Sequence, residues 1–444
     1  MKKFFILLVL FTTLVFFSCD NGGMIPSNSS GNSNSGNIKR QLVINFSDAS
    51  NIYIGKSTKS ASRSSSRDIT ENKLFKITED GYVQEVTFFY EVQVFDQEGK
   101  LVEIKTEQST ETFVPTSITK LNDNYLLVCF NYNDNYLVDT KTGNGFKYPY
   151  DAPREDSSIN HFYGESIQID KVGNIYYSSN NKVLKIIISD PQNISVKQIT
   201  PSIESVWTEW SVDSYGNCAY EAQDNQGNGV IRLKKESGGY KNLPGDSNFS
   251  HTCFWQGLDG NIYYYNSSNP GSVIKKIDKT NYEILDVPFA EGDYIGGGCG
   301  FNALLKAKNK NRTILVEDGS AYPYFHEVFN PDTNLVTTRK ASDIGLNKIK
   351  FAISSDDYYY FVGWDEAHNC KVVKVNPVSF DYEYLLSDGE YDVYNLSTSN
   401  DSVIFNALRM SDGAIVMGKI YNDKSIEILD DKLEENVTVL ERIN

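Results

Sequence analysis

The chain has 444 residues, which at roughly 100 to 200 residues per domain leaves room for two to four domains and a sizeable core. With 40% hydrophobic and 23% charged residues its composition is globular, neither disordered nor collagenous. A formal net charge of -16 leaves no basic footprint for nucleic acid and repels an anionic membrane surface, and six cysteines are too sparse for a disulfide scaffold.

Met1-Lys2-Lys3 precede an apolar run over 4–17 broken only by Thr12 and Thr13, and Ser18-Cys19 follow. A basic start, an apolar stretch too short to span a bilayer and a small residue before the cut make a secretory signal. Ser18-Cys19 directly after that stretch resembles the lipobox of bacterial lipoproteins, although Phe16 and Phe17 stand where that family usually has Leu and a small residue. The resemblance implies that residues 1–18 are removed, that the Cys19 thiol carries acyl chains such as palmitate, and that the protein is anchored in the bacterial cell envelope. Asp20 resembles an inner-membrane retention signal of some bacteria, so which membrane face is decorated stays open. Loss of Lys2 and Lys3 with the signal makes the mature chain more acidic still.

Residues 19–40 are mostly Asn, Gly and Ser, the composition of a flexible tether. Each buried acyl methylene holds such an anchor by about 0.8 kcal/mol. Residues 41–70 read as a short hairpin, from 41–46 and 51–54, followed by a Ser-rich linker.

Beyond the linker no stretch combines a helical apolar period with caps; short runs of Tyr, Val, Ile and Phe alternate with Asp, Asn and Gly turns, as strands do. The runs recur as a unit. Its clearest copies are 167–177, with Asp170, Gly173, Asn174, Ile175 and Tyr176, and 255–265, with Asp259, Gly260, Asn261, Ile262 and Tyr263; 210–220 is a third. Gly-Asn after an Asp supplies the positive φ and the side-chain-to-backbone bonds of a tight hairpin. The last turn residues are Asn124, Asn174, Asn217, Asn261, Asn311, Asp357 and Asp401, spaced 43 to 50 residues apart. Third strands alternate apolar and basic residues, as in Val183-Leu184-Lys185-Ile186 and Val372-Val373-Lys374-Val375, and fourth strands carry Glu, as in Glu283-Ile284-Leu285. Outer strands so charged blunt sheet edges.

Four strands recurring every ~46 residues are a propeller blade rather than a solenoid repeat. The expected fold is therefore an all-β propeller over 71–444 with seven complete four-stranded blades, eight being the close alternative. Residues 74–88, with a turn at Asp80-Gly81, and 436–443 supply strands of an eighth, whose splice of the two termini closes the ring. The Asp-X-X-Gly-Asn-hydrophobic-Tyr phrase resembles NHL and SMP-30-like repeats. That class hosts ligases, lyases, lactonases and pure binding modules, so the resemblance implies a fold and little about activity.

The sequence lacks the local signatures of zincins, redox Cys pairs, nucleophile elbows and phosphate loops. Gly296-Gly297-Gly298-Cys299-Gly300 reads as a crossing between blades ahead of an anion nest, and the Asp224 to Gly229 run as a turn ahead of a calcium loop. His161, His251, His326 and His368 are dispersed and read as structural. After lipidation five cysteines remain; Cys129 and Cys218 read as small buried thiols, and Cys253 with Cys299 is a disfavoured pair.

The most informative cluster is aromatic. Trp207, Glu209, Trp210, His251, Trp255 and Tyr294, with Phe254, Tyr391 and Tyr394, lie before or within first strands, where loops ring one mouth of a propeller channel. Half of them must pack blades; the remainder suit a protein or carbohydrate ligand. The function expected is a lipid-anchored binding or scaffold module for an envelope or extracellular protein or glycan, with no cofactor and no nucleic acid. The alternative is an envelope hydrolase or lyase with a metal or carboxylates in the channel, drawing on residues such as Glu209, His251 or Asp213.

Overall fold

The computed structural model describes residues 51–59, 70–77, 83–108, 117–122, 124–131, 134–148, 167–179, 182–190, 193–201, 210–244, 252–266, 273–295, 301–317, 323–398, 402–430 and 437–443. The lipobox, the tether and the Gly-rich run at 296–300 lie outside them. Among the described residues the chain is strand throughout, apart from short 3-10 turns at Lys308–Lys310 and Ala341–Ile344. No helix among them is long and apolar enough to cross a membrane.

The strands form seven four-stranded sheets and one six-stranded sheet, antiparallel within each blade. Blade 1 opens with Ser117–Asn122, blade 2 with Ile167–Ile169, blade 3 with Trp210–Val212 and blade 4 with Thr252–Gln256. Blades 5 to 7 open with the longer strands Phe301–Ala307, Lys348–Ser354 and Tyr391–Thr398. In each of these blades the next three strands follow in sequence order from the inside outwards.

Side chains alternate across a strand, so a blade presents two faces, each needing a neighbour. Six apolar clusters among the described residues each straddle two consecutive blades. Tyr177 joins Leu127 and Leu137 of blade 1, while its neighbour Tyr176 joins Trp210 and Val212 of blade 3. Likewise Phe361 packs on Phe325 of blade 5, and Tyr360 and Val362 pack on Val393 and Phe405 of blade 7. Unbroken apolar second strands such as Ile262–Asn266 follow from this demand. Each large side chain so buried contributes about 1.5 to 3 kcal/mol.

The repeated turn has a second task. The Asp170 carboxylate accepts the backbone N–H of Val172 and Asn174 at 3.0 and 2.9 Å, and Gly173 takes φ +87° to close the hairpin. The Asn side chain then reaches outwards: Asn217 Oδ1 accepts the N–H of Glu236 at 3.0 Å and Asn261 Oδ1 that of Lys279 at 2.9 Å, tying the first turn of a blade to its last. Turns of successive blades also join, Lys171 N–H donating to Ser214 O at 3.1 Å and Ser214 N–H to Gly260 O at 2.8 Å.

The eighth blade is complete. Val437–Ile443 pairs with Asn51–Lys59, which pairs with Thr70–Ile77, which pairs with Val83–Glu85. The C-terminal strand contacts the opening strands of blades 7 and 1 and so closes the ring. This corrects the expected boundary at 71: Asn51–Lys59 belongs to a blade, and it pairs with Thr70–Ile77 rather than with 41–46. A nine-residue strand flanked on both edges satisfies backbone groups that a linker hairpin would leave to water.

The six-stranded sheet is blade 1 with a hairpin, Thr87–Phe95 and Leu101–Gln108, added to its outer edge by a parallel pairing of 87–89 with 144–146. The sequence reading did not anticipate it.

A chain ended at residue 436 loses the closing strand, which exposes the edge of Asn51–Lys59 and removes the contacts with the opening strands of blades 7 and 1. Its thermal midpoint, followed by circular dichroism, is expected to fall by ~6 °C, as a loss of about 5 kcal/mol gives in a chain this long. An unchanged midpoint would show that the ring does not depend on the splice.

Candidate ligand-binding mouth

The opening strands of blades 6 and 7 are each interrupted by a bulge. In blade 6 Ile349 pairs with Gly363 and Phe351 with Val362, leaving Lys350 out of the ladder. In blade 7 Val393 pairs with Ala407 and Asn395 with Asn406, leaving Tyr394 out. A bulge bends its strand and re-aims the extra side chain. Gly363 is required for the first one, because a Cβ there would stand 2.1 Å from the Lys348 carbonyl oxygen.

The two displaced residues meet. Lys350 Nζ lies 4.7 Å from the Tyr394 ring centroid and 5.4 Å from that of Trp364, at the end of the second strand of blade 6. It forms an ion pair with Asp392 Oδ1 at 2.9 Å. Lys348 Nζ lies 5.7 Å from the Trp364 ring centroid. Tyr394 is 45% exposed, so the group is open to a partner. The ion pair contributes at most about 1 kcal/mol and the cation-π contacts ~0.5 to 2, enough to hold the ammonium between two rings. Partial burial, then the Asp392 carboxylate, pushes the Tyr394 hydroxyl above its ordinary range. Cys370 beneath accepts the Val393 N–H on Sγ at 3.5 Å, and burial raises its thiol, leaving it protonated and unreactive.

Of the residues singled out from sequence, Trp207, Glu209 and His251 lie outside the described residues, as does Cys19. Trp210 and Trp255 are buried between blades, Trp255 stacked on Tyr263 at 5.9 Å. Phe254 is buried as well. Tyr294 is 65% exposed on the crossing from blade 4 to blade 5, where Asp293 Oδ2 accepts the Thr338 N–H at 3.0 Å. Tyr391 packs against Phe405, while Tyr394 reaches the surface. Lys350, Trp364 and Asp392 were missed; their only sequence signal is the extra length of the hairpins in blades 6 and 7.

Two further polar groups lie buried at blade interfaces. His326 bonds Glu317 Oε1 through Nε2 at 2.7 Å and Thr338 Oγ1 through Nδ1 at 3.0 Å. With Nε2–H donated to the carboxylate, Nδ1 accepts from the hydroxyl, an order of groups known from nucleophilic catalysis. Here Glu317 and His326 are sealed from solvent, and the chain of bonds links the second, third and fourth strands of blade 5.

Glu221 faces blade 4 beside Thr252, its Oε1 without a hydrogen-bond donor. Burial lifts its carboxyl to about 7, the Thr252 hydroxyl pulling the other way. Burial, then Glu221, pushes the Cys253 thiol up to about 12. Asp224 is consumed by its own turn, accepting from Gln226 N–H at 2.8 Å and Asn228 N–H at 2.9 Å, in keeping with a plain turn. Among the described residues no three His, Cys, Asp or Glu side chains gather at metal-binding geometry.

No protein family and no curated protein matches this sequence. Among solved structures the chain is similar to an oligogalacturonate lyase from Vibrio parahaemolyticus, with a TM-score of 0.45 and 11% identity over 76% of this chain and 98% of that one. It is similar to TolB from Acinetobacter baumannii (TM-score 0.31, 11% identity, 89% of this chain and 66% of that one). It is also similar to PorZ, a surface component of the type-IX secretion system of Porphyromonas gingivalis (TM-score 0.37, 10% identity, 87% of this chain and 46% of that one). The chain thus spans nearly all of the lyase and about two thirds or less of the other two, and at this level none of them says what it binds.

Glu221 gives stability a defined pH dependence. The folded chain keeps a proton on it up to about pH 7, whereas the unfolded chain releases it above the ordinary value of 4.5. Stability therefore falls as pH rises between those values and levels off above. Glu221→Gln removes this term, so the variant's gain over the parent is expected to grow by about 2 to 3 kcal/mol from pH 4.5 to pH 8 in urea titrations. A gain independent of pH would show that the carboxyl ionises normally.

Proposed function

We propose that this propeller is a lipid-anchored module of the bacterial cell envelope that binds a protein or carbohydrate ligand at the mouth formed by blades 6 and 7. The carrying observation is that two adjacent opening strands bulge at Lys350 and Tyr394, bringing the Lys350 ammonium over both the Tyr394 and the Trp364 rings. Bulges cost ladder hydrogen bonds; blades 2 to 4 have none in their opening strands, and those of blades 1 and 5, at 121 and 302, lie apart from this pair. An exposed Tyr, a half-buried Trp and a Lys-Asp pair suit an amphipathic partner, offering area at low entropy cost with polar groups to orient it. Trp207, Glu209, His251 and Tyr294 belong to the same reading as further contacts from loops entering first strands.

The anchor part rests on the basic, apolar and Ser18-Cys19 segments of the sequence and on the tether behind them. The kinship with NHL and SMP-30-like repeats rests on the turn built by Asp170, Gly173 and Asn174. The reading as a hydrolase or lyase is the alternative, and a stoichiometric metal in the purified protein would favour it.

Cys19→Ser is expected to abolish palmitate labelling and release the chain from the membrane fraction; retention of either would sink the anchor. For the mouth, a photo-crosslinking benzoylphenylalanine at Tyr394 should capture a protein in cells, or the purified chain should bind a glycan array. Trp364→Ala or Lys350→Ala should weaken that signal ~10-fold or more, as loss of a central contact does. Signals unaffected by both substitutions would place the ligand elsewhere.

A further inference from the structure

The hairpin on the outside of blade 1 ends in a strand, Leu101–Gln108, that is exposed along its whole length and pairs on one side only, with Thr87–Phe95. It shows water Val102 at 64% and Ile104 at 53%, with Leu101 and Phe95 nearby. Edge strands of monomers are normally short, bulged away or guarded by charge. From Glu103 onwards this one alternates Ile104 and Thr106 on one face with Glu103, Lys105 and Glu107 on the other; before it a bulge leaves Val102 out of the ladder, and Leu101, opposite Phe95, joins the Ile104 face.

We propose that a second copy of this chain pairs with that edge, antiparallel, about a two-fold axis through Ile104. Residues facing each other across such an axis lie on the same face, so the axis must pass through a residue. Through Ile104, Glu103 stands opposite Lys105 of the second copy and the reverse, and Ile104 opposite itself, all beyond the bulge at Val102. Within one chain Lys105 Nζ already sits 3.4 Å from Glu103 Oε2, so both charges are in place for the exchange. Moved to Glu103 or Lys105, the axis sets like charges against each other; moved to Thr106, it leaves Ile104 facing Gln108 and shortens the pairing. Cross-strand pairs of opposite charge and of β-branched residues stabilise a ladder, and like charges opposite each other destabilise it. The two outer sheets then form one continuous sheet, its free edges buried at its centre. The pairing rests on the hairpin alone and is independent of the mouth.

An interface of one strand per copy is small, so association in the micromolar range is expected. The test is the mass of the full-length chain in detergent by light scattering up to about 100 µM. The expected result is a concentration-dependent shift to a dimer. Lys105→Glu should weaken it 10-fold or more, and Glu103→Lys with Lys105→Glu should restore it, which also shows that the variants fold. Ile104→Cys should form a disulfide-linked dimer on mild oxidation. A monomer at every concentration, dimers indifferent to Lys105→Glu, or crosslinking by Thr106→Cys in place of Ile104→Cys would overturn the proposal.

Discussion

Blades 2 to 6 of this protein each have two apolar faces and no way to cover either by themselves. Because side chains alternate along a strand, Tyr176 and Tyr177 point to opposite neighbours, as do Phe361 and Tyr360, and each of these blades finishes its core with residues of the blades on both sides. A sheet stack with that property has to end somewhere exposed or close on itself. The chain closes: its last strand is laid beside its first, so the eighth blade is made from both termini. The turn network at one rim follows the same logic at the polar level. Asp, Gly and Asn settle the hairpin, and the Asn amide and the turn carbonyls stitch turn to turn.

A ring built this way is stiff, which makes departures from its repeat worth reading. Blades 2 to 4 open with short regular strands, whereas blades 6 and 7 open with long strands interrupted at Lys350 and Tyr394. The bulges sacrifice ladder bonds and gain a lysine held between a tryptophan and a tyrosine at the mouth. The buried polar groups elsewhere read differently. His326 has both ring nitrogens engaged and is sealed inside blade 5, and Glu221 has an oxygen without a donor, so both belong to the economy of the core.

Much of the fold was legible in the sequence because a blade is specified locally. The turn residues Asn174, Asn217, Asn261, Asn311 and Asp357 all fall in the first hairpin of a blade, and the basic third strands and Glu-bearing fourth strands lie where the repeat puts them. The sequence makes 51–54 a strand of a short hairpin and the Ser-rich stretch after it a linker, whereas the strand runs on to Lys59 and pairs with Thr70–Ile77. The mouth was legible in part: the region before first strands is rich in aromatics, yet Trp210 and Trp255 turn inwards while Tyr394 turns out. Nothing in the local pattern separates these cases, since each is an aromatic residue in an apolar strand.

By itself the sequence determined the strand-and-turn unit, its period, the all-β class and the involvement of both termini, because hairpin chemistry and alternation act over a few residues. Only the tertiary structure decided that there are eight blades, which face of each strand meets which neighbour, and that bulges set the Lys350 ammonium over both Tyr394 and Trp364. The reason is one of range. A side chain's direction in a ring depends on the register of strands some fifty residues apart, and a single displaced residue reverses it.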